Sequence, residues 1–257
     1  MAFRIGKAVS MISGGASGLG RATAEYFVKN GGRVAIVDLP NSKGAEVAET
    51  LGEKCIFCPT DICNTEDVVN AIESTKDKFG ALHVLVNCAG IGHVEKVYSF
   101  NKNLPHSLEN FQNVIQVNVV GTFNLIRNVV GCMVKNEVGD ENQRGVIVNT
   151  ASIAAYDGQA GQIAYSASKG AIIGMTLPLS RDVARMGIRT VTIAPGTFKT
   201  PLLESLPEKV INTLEAGIPF PSRLGKPEEY AKLVESIVEN PMLNGEVIRL
   251  DGALRMM

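Results

Sequence analysis

The chain has 257 residues, 45% of them hydrophobic, which is enough to bury a large core and excludes general disorder. Its 25 basic and 26 acidic residues leave a net charge of −1, so no whole-chain basic excess is available to hold nucleic acid. No run reaches the ~18 unbroken apolar residues of a membrane helix; Leu82–Ile91, a long candidate, is interrupted by His83 and Asn87.

At the start, Arg4 and Lys7 precede the first acid, Glu25, a bias faintly like that of a mitochondrial leader. Ala8–Ile12 nevertheless reads better as a first strand that runs into a glycine turn, and no secretion signal is expected. Further strands are predicted at Arg33–Asp38, Lys54–Pro59, Val84–Asn87, Val146–Thr150, Arg189–Ala194 and Glu246–Leu250. Helices are predicted near Gly20–Asn30, Lys43–Leu51, Thr65–Phe79, Phe111–Lys135, Gln162–Met186 and Pro227–Glu239. Strands separated by helices must pair in parallel, with crossovers. Near-continuous apolar strands imply cover on both faces. The expected fold is α/β: an open, doubly wound, mostly parallel seven-stranded sheet with helices on both faces, in one domain over 1–257.

Three stretches interrupt the alternation. Tyr98–Glu109 and Asn136–Arg144 are polar and read as surface loops. Thr197–Pro221 mixes Leu202, Leu203, Leu206, Ile211 and Leu214 with charged residues, and is either a lid over a substrate cleft or a pair of surface helices.

Five cysteines, an odd number, favour a reducing compartment. Cys55 and Cys58 form a C-x-x-C, but on a strand that ends at Pro59 their side chains face opposite ways, and no second ligand pair accompanies them. They read as structural thiols, and no metal site is expected.

The first strand enters SGGASGLG, with Gly14, Gly18 and Gly20 and, between them, Ser17 and Leu19. Glycines at a strand-to-helix turn let a pyrophosphate approach the backbone, and the helix N-terminus stabilises its charge. The second strand ends in Asp38, which can accept hydrogen bonds from the adenosine ribose and repel a 2′-phosphate. Ser17 offers that phosphate no cation. Both positions favour NAD over NADP.

Downstream stand Asn87-Cys88-Ala89-Gly90, Asn118 in a helix, Ser152 after GVIVNTA, and Tyr165-Ser-Ala-Ser-Lys169. With the glycine turn, these residues resemble the short-chain dehydrogenase/reductase family over essentially the whole chain. Tyr165 and Lys169, four apart on a helix, share a face. A phenol with an ordinary pKa of about 10 is a poor base at neutral pH, and an adjacent ammonium is expected to lower it. Tyr165 would then move the proton of a substrate hydroxyl, and Ser152 would hydrogen-bond the developing carbonyl oxygen.

The resemblance further implies that Lys169 holds the nicotinamide ribose and that Asn118 supports a water carrying the proton outward. It implies that Asp61 and Ile62 meet the adenine, that Asn87–Gly90 flank the adenosine, and that Pro195, Gly196, Phe198 and Thr200 meet the nicotinamide amide. Gln159 and Gln162, between Ser152 and Tyr165, are candidate substrate contacts. Two positions depart from the family pattern: Ser13 stands where Thr is usual, and Cys88 where a second Asn is usual.

Within the family, the similarity is strongest to members that oxidise 3-hydroxyacyl-CoA thioesters and also hydroxysteroids. It implies a mitochondrial homotetramer with a small-molecule substrate, and partner proteins in transfer-RNA processing, without direct binding to nucleic acid or membrane. Lys96, Lys102 and Lys199 are either contacts for CoA phosphates or solvated surface lysines. The small residues Gly161, Ala164, Ala167, Ala171 and Gly174 either pack a helix against another subunit or pack it on the sheet. A dehydrogenase for another alcohol and a non-catalytic scaffold remain the competing readings.

Overall fold

A computed structural model describes residues 4–204 and 206–256. Ser205, inside Thr197–Pro221, and the chain's first three residues and its last lie outside the described residues.

The chain runs β1 (Val9–Ser13), α1 (Gly18–Lys29), β2 (Arg33–Asp38), α2 (Gly44–Leu51), β3 (Cys55–Pro59), α3 (Thr65–Phe79) and β4 (Val84–Asn87). A short antiparallel pair, β5 (Tyr98–Ser99) and β6 (Leu104–Pro105), follows. The second half is α4 (Leu108–Ile115), α5 (Thr122–Met133), β7 (Gly145–Thr150), α6 (Ile163–Val183), β8 (Ile188–Pro195), α7 (Pro201–Glu204), α8 (Glu208–Ala216), α9 (Pro227–Glu239) and β9 (Val247–Leu250).

Seven strands form one sheet in the order β3-β2-β1-β4-β7-β8-β9, every neighbouring pair parallel. Alternate residues of each strand feed opposite cores. Ile12, Val34, Val84 and Val148 meet Phe27 of α1 and Tyr230 and Val234 of α9. Met11, Ala35, Leu85 and Ile147 meet Val68 of α3 and Leu125 and Val129 of α5. This two-sided cover is why the strands lack polar alternation. It also divides the C-x-x-C: Cys55 belongs to the first core and Cys58 to the second. Both are free thiols, pushed by burial up to about 12 and about 11.

From β1 the chain winds one way through β2 and β3, then returns to β4 on the other side of β1 and winds outward. A crevice opens at such a reversal, at the carboxyl ends of the strands, and ligands of open α/β sheets bind there. The glycine turn follows β1, Asp38 ends β2, Asn87 ends β4, Ser152 follows β7 and Pro195 ends β8. All converge on that edge.

Two elements differ from expectation. The helix expected over Phe111–Lys135 begins earlier, at Leu108, because Ser107 caps it by accepting the Asn110 N–H at 3.2 Å. It is then interrupted by a π turn, Gln116–Gly121, so the Tyr98–Glu109 loop and the long helix are both redrawn. Asn118 lies in this turn, and its amide is tied to the main chain of Ile91, across from the helix. In Thr197–Pro221 two helices begin where proline allows: Pro201 opens α7 and Pro207 precedes α8. Neither helix has a buried residue.

Candidate active site

The turn after β1 depends on close approaches. Gly14 has φ +65°, and a β-carbon there would stand 2.8 Å from the Ala89 nitrogen, so the exits of β1 and β4 touch across the reversal point. The same contact is bonded through Ser13, whose hydroxyl accepts the Ala89 N–H at 3.3 Å. The hydroxyl kept at this position, where threonine is usual, is thereby put to use. At Gly20 a β-carbon would strike the Gly14 carbonyl, so α1 packs directly on the turn.

A dinucleotide fits this cradle. Ser17 precedes α1 without a capping side-chain bond, and the first turn holds no acid, so its free N–H groups face outward for an anion. Asp38 stands alongside. Its Oδ2 accepts the Ala16 N–H at 3.0 Å and its Oδ1 accepts the Leu39 N–H at 2.8 Å. Thr200 closes the other side, its methyl 3.4 Å from the β-carbon position of Gly18, which joins the segment after β8 to the glycine turn.

Four expected contacts turn out otherwise. Ile62 sends its side chain into the core, 6% exposed, beneath Gly121, while Asp61 is exposed above β3. Phe198 is likewise a core residue, 7% exposed, its ring lying where a side chain at Gly225 would be. Its side chain is a structural wedge between the segment after β8 and Gly225. Cys88 turns inward as well: Thr150 Oγ1 and Tyr230 Oη lie 2.7 Å apart, and each is 3.6 Å from its sulfur. The amide lost with the usual asparagine is thus replaced by a three-membered network that ties β4 and β7 to α9. Gln162 is the fourth: its Oε1 accepts the Gln159 N–H at 2.9 Å and closes the loop, which leaves only its amide N–H groups for a substrate. Asn87 donates to Asn149 Oδ1 at 2.8 Å and is 3% exposed, so it joins β4 to β7.

The expected catalytic residues do come together. Ser152 lies close enough to the Tyr165 phenol to lower it and accepts the Ala154 N–H at 3.1 Å, which fixes its hydroxyl at the end of β7. One helical turn on, Lys169 is 5% exposed, its Nζ 5.7 Å from the Tyr165 ring centre and donating to the Thr150 carbonyl at 2.9 Å. Asn118 is held by its neighbours: its Oδ1 accepts the Ile91 N–H at 2.8 Å, and its Nδ2 donates to the Ile91 carbonyl at 2.9 Å and to Ser168 Oγ at 3.0 Å. Gly90 lets these groups meet, since a β-carbon there would lie 3.1 Å from Asn118 Oδ1 and 3.5 Å from Lys169 Nζ. Thr150 and Ser168 are functional positions that sequence reasoning missed. Ser168 was visible inside the Tyr-Ser-Ala-Ser-Lys run, whereas a main-chain acceptor such as Thr150 carries no sequence signal.

The electrostatics correct one expectation. Burial raises the Tyr165 phenol, and only the Ser152 hydrogen bond works the other way. Burial also pulls Lys169 down, to about 8, with Cys88 opposing. The ammonium points at the Thr150 carbonyl, so in this geometry it does not lower the phenol. Their ordinary values nearly coincide, so burial drives the two groups apart, the phenol up and the ammonium down, as in sites that assign separate acid and base roles.

The short chain dehydrogenase family model matches residues 8–211. A "3-hydroxyacyl-CoA dehydrogenase type-2" of Drosophila melanogaster is 60% identical, the match covering 98% of this chain and 99% of the relative. The Homo sapiens protein of that name is 59% identical over 96% and 95%. The crystal structure of such an enzyme from Mycobacterium avium superposes with a TM-score of 0.92 at 39% identity, covering 97% of this chain and 96% of the other. A 3-ketoacyl-(acyl-carrier-protein) reductase from Brucella melitensis, solved with NADH, gives 0.85 at 30% identity over 96% and 97%. On sequence and fold together, this chain belongs to the short-chain dehydrogenase family, whose members are oxidoreductases of secondary alcohols that use a nicotinamide cofactor.

Proposed function

We propose that the chain, as one dinucleotide-binding unit, oxidises (S)-3-hydroxyacyl-CoA thioesters to 3-oxoacyl-CoA with NAD. The observation that carries this reading is Ser152 set beside the Tyr165 phenol, with buried Lys169 one turn away. When bound, the nicotinamide supplies the hydride acceptor. Ser152 orients the substrate oxygen, and Tyr165 Oη accepts its proton as the carbonyl forms. Lys169, anchored on the Thr150 carbonyl, would hold the ribose. Asn118, with both amide hydrogens and one oxygen lone pair used, is a positioning residue that holds Ile91 and Ser168 around Lys169.

The thioester assignment rests on the names of the relatives and on the mouth of the crevice. There Leu202 of α7 lies 3.6 Å from the β-carbon position of Gly92, and Val94 and Leu202 are 70% and 55% exposed, an apolar rim suited to an acyl chain. The choice of NAD rests on Asp38, held in place by two backbone N–H groups, and on the absence of a cation at Ser17. A panel of acyl-CoAs, steroids and sugar alcohols assayed with NAD and NADP tests both. The expected result is the highest kcat/KM with a 3-hydroxyacyl-CoA and NAD, with NADP at least tenfold worse, about 1.4 kcal/mol. Equal cofactor use removes the argument from Asp38, and no preference for thioesters removes the substrate.

A lid of weak intrinsic stability covers this site in the same reading. With no buried residue in α7 or α8, the described parts of Thr197–Pro221 should exchange amide hydrogens faster than β8 in the free enzyme. Exchange should slow when NAD and acetoacetyl-CoA are both present. Unchanged protection would make the segment an ordinary surface pair of helices. A homotetramer and a mitochondrial location belong to the same reading, and sedimentation equilibrium and cell fractionation test them.

A further inference from the structure

Beside the mouth of the crevice the chain forms a strap from Ile91 to Asn110. At its start Asn118 holds the Ile91 main chain, and Glu95 N–H donates to the Gly161 carbonyl at 2.9 Å, just ahead of α6 and Tyr165. On the strap, His93, Glu95 and His106 place one ligand atom each within 4.8 Å of one another, the one such histidine–cysteine–carboxylate group among the described residues.

His93 Nε2 lies 2.9 Å from Glu95 Oε2, and His106 Nε2 lies 3.6 Å from the same oxygen. His106 Nδ1 is 3.1 Å from the Glu95 carbonyl. A carbonyl only accepts, so Nδ1 must carry the proton, and in the neutral ring Nε2 is then a bare lone pair. That atom is buried and has no hydrogen-bond partner, and the side chain is 9% exposed. A lone pair aimed at a carboxylate is repulsive unless a positive charge stands between them. The carboxylate is also well supported: Ser107 N–H donates to Oε1 at 3.2 Å and Asn110 Nδ2 to Oε2 at 3.2 Å.

We propose that His93 Nε2, a Glu95 carboxylate oxygen and His106 Nε2 bind one divalent cation of the zinc class, which clamps the strap beside the mouth of the crevice. Ligands at ~2.0–2.1 Å on a tetrahedral ion stand roughly 3.3 Å apart, a spacing that the present separations reach by small side-chain shifts. The His106 Nδ1–H···O=C bond is the outer contact that fixes a ligating imidazole in the right tautomer. Two imidazoles and a carboxylate suit zinc better than magnesium or calcium, which take oxygen ligands. The cysteine spacing that spoke against a zinc site carries no information about these histidines, at separations of 2 and 11 along a loop.

The test is calorimetric titration of the chelator-treated full chain with zinc chloride, in a Cys63→Ser background because Cys63 is a partly exposed free thiol. Turnover is not read, so the result is independent of the proposed substrate. The expected outcome is one zinc per chain and no response to magnesium, with affinity weakened at least about tenfold by His93→Gln and by His106→Gln, the lower end of what even an outer-contact change costs. Should the buried His106→Gln variant not fold, His93→Gln decides alone, since its ring is 34% exposed. No zinc uptake, or uptake unchanged by His93→Gln, overturns the proposal.

Discussion

Tyr165→Phe should lose activity by a factor of 10² to 10⁴, the usual contribution of a positioned proton acceptor. Phenylalanine keeps the ring and its place on α6 but removes the oxygen beside Ser152. NADH affinity, read by fluorescence titration, should change little, because the cradle after β1 is built from other residues. Activity above about a hundredth of wild type would place proton transfer elsewhere. The pH dependence sharpens this. Tyr165 and Lys169 stand one helical turn apart, so the first proton lost from the site comes from whichever group holds it less tightly. With Lys169 at about 8 and Tyr165 raised by burial, that first step falls near 8 in the free chain. The form with one proton removed, which includes phenolate with ammonium, therefore accumulates above about 8. In Lys169→Met the only proton left to lose is that of the phenol, which burial raises, so the acid limb of kcat/KM should move up. Measured with both proteins saturated in cofactor, the difference isolates the lysine. An unmoved limb would mean that the two groups are not coupled.

Arg189→Leu should be the most damaging of the structural changes and should spare the chemistry. Arg189 enters the sheet at the start of β8, the edge away from the crevice, and is 6% exposed. Its guanidinium donates to the carbonyls of Ile237 at 2.9 Å, Leu243 at 2.7 Å and Val238 at 2.8 Å. Two of these are orphan acceptors of the last turn of α9, where a cation also complements the helix dipole. Burial pulls its pKa down to about 10, which still leaves it charged at neutral pH. Leucine would strand the three acceptors at roughly 1–3 kcal/mol each, so a loss of about 3 kcal/mol or more is expected. In a chain of this size that lowers Tm by about 10 °C. Lysine should rescue little, because one ammonium cannot fork to three carbonyls. A loss below about 1 kcal/mol would show that the end of α9 finds other donors.

The seven parallel strands and the helices on both faces were legible because they follow from alternation and apolar runs, which depend on many residues at once. Arg33–Asp38, Val84–Asn87, Thr65–Phe79 and Pro227–Glu239 appear with the boundaries that periodicity predicts. Tyr165 with Lys169 was legible because the pair stands downstream of the glycine turn and Ser152 in the pattern of the family; the four-residue spacing alone recurs by chance. What escaped is where a side chain at a loop or strand end turns. Cys88, Ile62 and Phe198 occupy cofactor-contact positions of the family, yet their side chains serve the core. Nothing in one sequence separates a residue whose main chain lines a crevice from one whose side chain does. The π turn at Asn118 escaped for a different reason: it inserts one residue into a helix whose apolar pattern continues on both sides. The His93–Glu95–His106 group depends on a loop closure with no period at all.

The double duty of Asp38 sets a limit on redesign. The residue that would choose between the two dinucleotides also ties the Ala16 N–H and the Leu39 N–H, so it braces the loop it stands beside. An exchange of Asp38 for a residue without a side-chain oxygen acceptor would loosen that loop while relieving the charge, and both dinucleotides would bind less well. An engineer seeking to convert the coenzyme preference should keep the loop braced by retaining a carbonyl acceptor, as in Asp38→Asn, and introduce the new cation at Ser17. Substitutions at the two positions should then be strongly non-additive, with the pair succeeding where either alone yields only a weaker enzyme.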